Sequence, residues 1–265
     1  PTRIYKFDED QDYPSADYIY SAVSEFTLQR LKSDTASSES INSQKLFQHD
    51  IQLAENMRRQ LDLYKSYEFL DLLDKKYEDE EKQDVIKDLQ KQIKRNKIFK
   101  EQRRKYNAAS IQESYKKTQY SYYLSEDLAN INFENLGYWN QQIKDLKEAQ
   151  NSGNLAEKEL AFRLHGFLQS IAFQSFDELK NSKAKIDLLI YTAVLKTIFD
   201  KENPDGYFDI ISLAANDGDY STALLYLEDL LKTGYKNMDA LYNIPGTLDL
   251  KLSPEYNQLI RKYLG

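Results

Sequence analysis

Chain breakers are what this sequence lacks. Eight glycines and five prolines are spread over 265 residues. Between them apolar residues recur at steps of three and four, the spacing that places side chains on one face of an α-helix. Barrels, sandwiches and phosphate-cradling loops need frequent tight turns built on Gly and Pro, so this scarcity argues against them and for long helices. The expected fold class is all-α, a helical array or bundle. A hydrophobic content of 41% suffices for a core.

Charge and cysteine content narrow the chemistry. The formal charge of −7 disfavours a dedicated nucleic-acid binder, whose affinity rests on neutralising phosphates. The chain has no cysteine, which excludes disulfide frameworks, thiolate metal sites and Cys nucleophiles. Both cytosol and periplasm accept such a chain. Its Lys-, Asn- and Tyr-rich style resembles bacterial envelope proteins. No apolar run approaches the ~18 residues of a membrane span. The chain opens on Pro1 rather than Met, read here as the mark of a processed or truncated chain.

Helices follow from the apolar stripes. Residues 1–14 read as an irregular lead-in, and Pro14–Ser15 opens a helix carrying Ile19, Ala22, Val23 and Phe26. The small polar stretch 33–43 reads as a flexible loop. From Ser43 one long helix is expected towards Tyr77, with Phe47, Ile51, Ala54, Met57, Leu61 and Tyr64 as its stripe. Residues 78–106 gather acids first and bases last, an order that complements the helix dipole and predicts one charged helix, projecting or forming half of a hairpin. Helix continues over 107–132, and another carries Leu136, Trp139, Ile143 and Leu146. "NSGN" at 151–154 is a break. The stripe of Ile186, Leu189, Ile190, Ala193, Val194 and Ile198 is broad, which predicts a helix at the centre of the core. The domain organisation expected is an irregular helical region over 1–150, with the charged helix or hairpin at about 78–106, and a helical domain over 151–265.

One stretch carries more than periodicity. Pro204 precedes a helix with Tyr207, Ile210, Ile211 and Ala214 on its packing face. Gly218 stands at a turn, followed by Tyr220, and Ala223, Leu227 and Leu230 form the next packing face. Gly permits the tight turn, and Ala223 lets two helices approach. Residues 204–234 resemble a tetratricopeptide repeat, a helix–turn–helix unit of about 34 residues. The usual late proline is replaced by Tyr235. Gly234, Tyr235, Asp239, Leu241, Pro245, Leu248, Pro254, Tyr256 and Leu259 are similar to the closing segment of bacterial tetratricopeptide arrays, with Ile244 standing where an acid is expected. The match covers roughly 60 residues well and roughly 110 loosely. What the resemblance implies is a non-enzymatic scaffold that binds a protein or peptide in a groove of stacked helices. It also implies an alternative, since bacterial proteins of this kind carry such an array behind a hydrolase domain.

The surplus of 21 tyrosines points to the same end, because Tyr combines contact area with a polar tip and a modest entropy loss on binding. The candidate binding residues are Tyr115, Tyr120, Tyr123, Tyr138 and Trp139. Tyr207 and Tyr220 read as packing residues of the repeat. Catalytic chemistry is sparse. His49 and His165 are the only histidines, too few for a His-rich metal site, and read as structural. Asp8, Asp10 and Asp12 alternate as in a calcium loop, but Tyr13 and Ile19 occupy the positions where such a loop needs Gly and Glu; a solvated acidic loop is expected. No nucleophile elbow is present, and no motif calls for a cofactor. A carboxylate-based enzyme stays open as the rival class. The basic run Lys91, Lys94, Arg95, Lys97, Lys100, Arg103, Arg104 and Lys105 supplies a third reading, the binding of an anion, RNA or lipid.

Overall fold

The computed structural model describes residues 16, 19–24 and 38–265. The acidic stretch 8–12, the polar residues 33–37 and Phe26 lie outside the described residues. The fold is all-α. The helices are α1 (described part 19–24), α2 (Ser38–Arg59), α3 (Leu63–Lys76), α4 (Glu80–Arg95), α5 (Lys97–Asn130), α6 (Leu136–Ala149), α7 (Leu155–Asn181), α8 (Ile186–Phe199), α9 (Asp205–Asp217), α10 (Tyr220–Lys232), α11 (Met238–Tyr242), α12 (Leu248–Leu252) and α13 (Pro254–Leu264). No strand occurs among the described residues. The chain divides into two compact units, Pro1–Ile111 and Gln112–Gly265.

In the first unit, α3 packs against both α2 and α4. Leu46, Phe47, Leu63, Phe69, Leu70, Leu73, Ile86, Ile93 and Phe99 make its core. Three sequence expectations change here. The stretch 38–43 is helical rather than a loop, since α2 begins at Ser38. Ser and Asn lose less than about 0.7 kcal/mol each against Ala in a helix, too small a cost to end a helix that the stripe from Phe47 onward anchors.

The single helix expected from Ser43 to Tyr77 is two helices. Leu61 takes a left-handed conformation (φ 62°). The Leu61 N–H donates to the Arg58 carbonyl and the Asp62 N–H to the Met57 carbonyl, a Schellman closure that satisfies the last carbonyls of α2. Asp62 then caps α3 by accepting from the Lys65 N–H. The turn brings α3 back along α2 closely enough for the Ser66 hydroxyl to donate to the Ala54 carbonyl at 2.8 Å.

The charged helix predicted over 78–106 breaks at Asn96, whose backbone is extended (ψ 136°). Its side-chain oxygen accepts from the Ile98 N–H at 2.9 Å, starting α5 one residue after α4 ends. Ile86 and Ile93 are buried, so α4 lies on the core and does not project.

A buried polar network fixes α1 to this unit. Lys76 Nζ donates to the Ser21 carbonyl, the Ser24 hydroxyl and Asp50 Oδ2, at 2.8, 2.8 and 2.7 Å. Tyr77 donates to the same carboxylate oxygen at 2.7 Å. The Lys76 and Asp50 side chains are 0% and 1% exposed. A pair this deep is tolerated because its donors and acceptors are matched.

In the second unit, α6 packs on α7 and α8, α7 on α8, α8 on α9, and α9 on α10, with α13 against α10. As its broad stripe predicts, α8 is central: ten consecutive or near-consecutive residues from Leu189 to Phe199 are buried. Lys196 is among them, its ammonium 4.3 and 4.4 Å from the ring centres of Phe173 and Phe176 and paired with Asp209. Successive helices thus pack as adjacent pairs, in the manner of a helical array.

Gly218 ends α9 with φ 82°. The Asp219 N–H donates to the Ala214 carbonyl, and Asp219 accepts from the Thr222 N–H to open α10. Across the α9–α10 pair, Ala214, Ala223 and Leu227 are wholly buried, with Ile211 and Tyr207 nearly so. Tyr220 departs from its expected packing role. It is the first residue of α10 and 38% exposed, because the Asp219 cap turns that position outward.

Candidate functional site

The predicted aromatic set does not form one surface. Trp139 is 0% and Tyr120 1% exposed, while Tyr115 is 65% and Tyr123 37% exposed; Tyr138 is half-buried. Trp139 packs edge-on against Phe199 at 5.4 Å and Tyr138 at 5.0 Å, with Tyr120 at 6.0 Å. Its indole N–H donates to Asp127 Oδ2 at 2.7 Å. Asp127, 3% exposed, also accepts from the side-chain amides of Asn132 and Asn135. The carboxylate therefore ties the end of α5 to the start of α6. Two of the five predicted residues are core, held by a polar hub that the aromatic pattern does not announce.

Burial pushes the Tyr120 phenol up to about 12, helped by the charges of Tyr138 and Asp145. Tyr138 is also raised, by burial first and then by Tyr123 and Asp127. Tyr123 keeps an edge-to-face contact with Tyr138 at 5.6 Å. Tyr115 and Tyr122 stand exposed, seven residues apart on one side of α5.

A groove does exist, in the first unit and on other residues. It encloses about 480 Å³ between α3, the end of α4 and the start of α5. Phe69 and Phe99 are buried at its base, with Tyr64 and Tyr67 above them. The rim carries Lys65, Lys94 and Arg103 together with Glu68 and Asp71. The tyrosines are held in place. Tyr64 stacks on Tyr106 at 4.3 Å with an 11° interplanar angle, and its hydroxyl donates to Glu68 at 2.9 Å. Tyr67 leans on Phe99 at 5.1 Å, and Lys94 Nζ sits 5.1 Å from its ring centre. Gln102 of α5 locks the wall: its amide donates to the Leu61 carbonyl and its oxygen accepts from the Tyr64 N–H. The signal for this groove lay in Tyr64, Tyr67 and the basic run. The break at Asn96, which bends that run around α3, had to be known before they could be joined.

Beside it lies a second depression of about 510 Å³, lined by Lys87, Lys91, Lys94, Arg95, Lys100 and Gln90. Lys94 borders both.

The histidines have partners. His165 Nε2 lies 2.7 Å from the Phe199 carbonyl, which can only accept, so that nitrogen carries the proton; Nδ1 then accepts from the Gln150 amide at 3.2 Å. His49 stacks edge-on with Tyr20 and has Nδ1 3.7 Å from Asp50.

Among the described residues three carboxyls are displaced, all downwards. For Glu113, burial acts upward, but hydrogen bonds and charge from Lys117 and Arg163 outweigh it. The side-chain and backbone hydrogen bonds of Thr222 lower Asp219. The hydrogen bonds of Lys262 and Tyr263 bring Glu228 down to about 2. Among the described residues no group of three or more His, Cys, Asp or Glu is placed to hold a metal ion, and no described helix is long and apolar enough to cross a membrane.

No protein-family model, curated protein or solved structure matches the chain.

Proposed function

We propose that this chain is a non-enzymatic scaffold whose helices bind a peptide or protein segment in a groove. The observation that carries the reading is the α3–α4–α5 groove, with Tyr64 and Tyr67 over an apolar base and charges of both signs on its rim. Interface hot spots favour this combination, in which rigid aromatics and Arg sit in a partly desolvated depression and a polar rim excludes water. We read α9–α10 as a tetratricopeptide-like pair on the strength of its αL glycine and its buried small residues, with the exposed tyrosines Tyr115, Tyr123 and half-buried Tyr138 as a secondary surface.

The test is selection of random displayed peptides on the whole chain, followed by anisotropy measurements on the enriched sequences. Micromolar binders weakened about tenfold or more, a loss of about 1.4 kcal/mol, by Tyr67→Ala support the groove. An unenriched library, or peptides that bind Tyr67→Ala as tightly as wild type, overturns it. Circular dichroism checks that the variant folds.

A further inference from the structure

We propose that the segment received by this groove is acidic: an apolar or aromatic anchor seated on Tyr64 and Tyr67, followed by a run of carboxylates lying over the depression at the α4–α5 junction. This rests on the groove reading above and specifies the partner's chemistry.

The depression is electrostatically one-sided. Lys87, Lys91, Lys94 and Arg95 stand at steps of four, three and one along α4, so they share one side of its last two turns. Lys100 faces them from the first turn of α5, across the break at Asn96. Gln90 is the sole uncharged liner and no carboxylate lines the depression. Asp84 and Asp88 lie on the same helix but do not border it. Lys87 reaches the Gln83 side-chain oxygen and Lys94 the Tyr67 ring. None of the five cations forms an ion pair among the described residues.

The start of α5 adds to the field. It runs 34 residues with no acidic side chain in its first turn, so the positive end of its dipole is left uncompensated beside Lys100. Five cations converging on a depression of about 510 Å³ repel one another, and an anionic segment relieves that repulsion.

Charge placement also sets direction. Glu68 and Asp71 line the groove and not the depression, whereas Lys94 borders both. A bound segment therefore places its carboxylates towards Lys91 and Arg95, and neutral or basic residues towards Glu68 and Asp71. A short segment suits the site better than a nucleic acid or a bilayer, because a long polyanion leaving this patch meets a chain of formal charge −7.

Two labelled peptides of equal length decide the matter, one with an apolar anchor followed by four glutamates and one with four glutamines instead. At low ionic strength the glutamate peptide binds wild type about tenfold or more tightly than the glutamine peptide, and the gap closes as salt screens the charges. Lys91→Glu/Arg95→Glu removes the gap. The control Lys183→Glu/Lys236→Glu, two exposed lysines of the second unit with the same net-charge change, keeps it. Tyr67→Ala weakens both peptides. Equal affinity of the two peptides for wild type refutes acidic selectivity and leaves the groove reading standing. Binding of neither refutes the groove reading as well. Loss of the gap in the control ascribes it to net charge and overturns the site. Tighter binding of oligouridylate or anionic vesicles than of the glutamate peptide, lost in Lys91→Glu/Arg95→Glu, reassigns the depression to another class of partner.

Discussion

Replacing Trp139 with Phe separates packing from the polar hub beneath it. Phe keeps a ring against Phe199 and Tyr138 but removes the indole N–H from Asp127 Oδ2, 2.7 Å away. Asp127 is 3% exposed, so water does not replace the lost donor, and only Asn132 and Asn135 still donate to it. A hydrogen bond to a charged acceptor contributes about 1.5–3 kcal/mol. The smaller ring adds about 1 kcal/mol, comparable to other modest core truncations. The expected loss is about 2.5–4 kcal/mol in the second unit. Trp139→Ala also loses the ring contacts and costs more, against a typical total of ~5–15 kcal/mol for a domain. Trp139 is the only tryptophan, so hydrogen exchange over α6 and α8, rather than fluorescence, is the assay that treats both variants alike. A Trp139→Phe loss below about 1 kcal/mol refutes the assignment of Asp127 as a hub that depends on the indole. A loss of peptide binding with stability intact would return Trp139 to the binding surface.

Tyr123→Ala, by contrast, removes a 37% exposed ring with an edge contact to Tyr138 and a tilted one to the exposed Tyr122, and urea denaturation is expected to report a change below about 1.5 kcal/mol. Gly218→Ala places a side chain at φ 82° with open space around it, so calorimetry is expected to show only the left-handed backbone cost of about 1–2 kcal/mol. Gly246→Ala, at φ 73°, also drives its Cβ into the Asn216 side chain; it costs more than Gly218→Ala, and adding Asn216→Ala recovers part of the loss. The Tyr120 phenol has its folded pKa raised to about 12 from the ordinary 10. The folded state therefore holds this proton more tightly, and the stabilisation, complete below about pH 10, is lost as pH rises towards 12. Phenolate absorbance that titrates Tyr120 at its ordinary value in the folded chain would refute this burial.

Helix existence was legible in the sequence wherever the apolar stripe was long, as over 97–130, 136–149 and 186–199. Helix ends were legible where a residue advertises the turn or where one apolar stripe stops and another begins, as between 132 and Leu136. Gly218 advertises a left-handed turn. Leu61, Ile131 and Lys183 adopt the same conformation, at φ 62°, 49° and 54°, and give no such signal. Leu61 and Lys183 close their helices by the same pair of backbone bonds, and Ile131 is followed by the longer bond alone, from the Asn132 N–H to the Asp127 carbonyl; at Leu61 the apolar stripe runs on, so the α2–α3 turn was read as continuous helix. Asn96 hid the second break for a related reason: its side chain starts α5 directly from the end of α4, and the stripe shifts face without a gap. The candidate site suffered more. Tyr and Trp periodicity marks a face but not whether that face is covered, and α8, through Phe199, covers Trp139. The groove residues Phe99 and Arg103 reach α3 only through the unseen break at Asn96.

Two buried lysines show how far a charge's environment, rather than its burial, sets its worth. Lys76 and Lys196 are 5% and 4% exposed, and each is paired with an aspartate. The anions differ. Asp50 is 1% exposed, and its Oδ2 takes both the Lys76 and Tyr77 bonds. The Asp209 side chain is 23% exposed. Lys76→Met strands a carboxylate in the core and leaves the Ser21 carbonyl and Ser24 hydroxyl without the ammonium that ties α1 down. The expected cost is about 3–5 kcal/mol. Lys196→Met leaves Asp209 free to hydrate, and the methionine stem still fills the space beside Phe173 and Phe176. What goes is the ammonium's attraction to two rings, about 1–2 kcal/mol, and a part-exposed ion pair to Asp209, about 1 kcal/mol or less. Hydrogen exchange read separately over α3 and α8 gives each cost within its own unit. Equal costs, or a larger one at Lys196, would refute the argument, because burial of the cation alone would then decide the outcome. Asp50→Asn in the Lys76→Met background sharpens it further: removing the stranded charge recovers part of the loss, whereas Asp209→Asn in the Lys196→Met background recovers little.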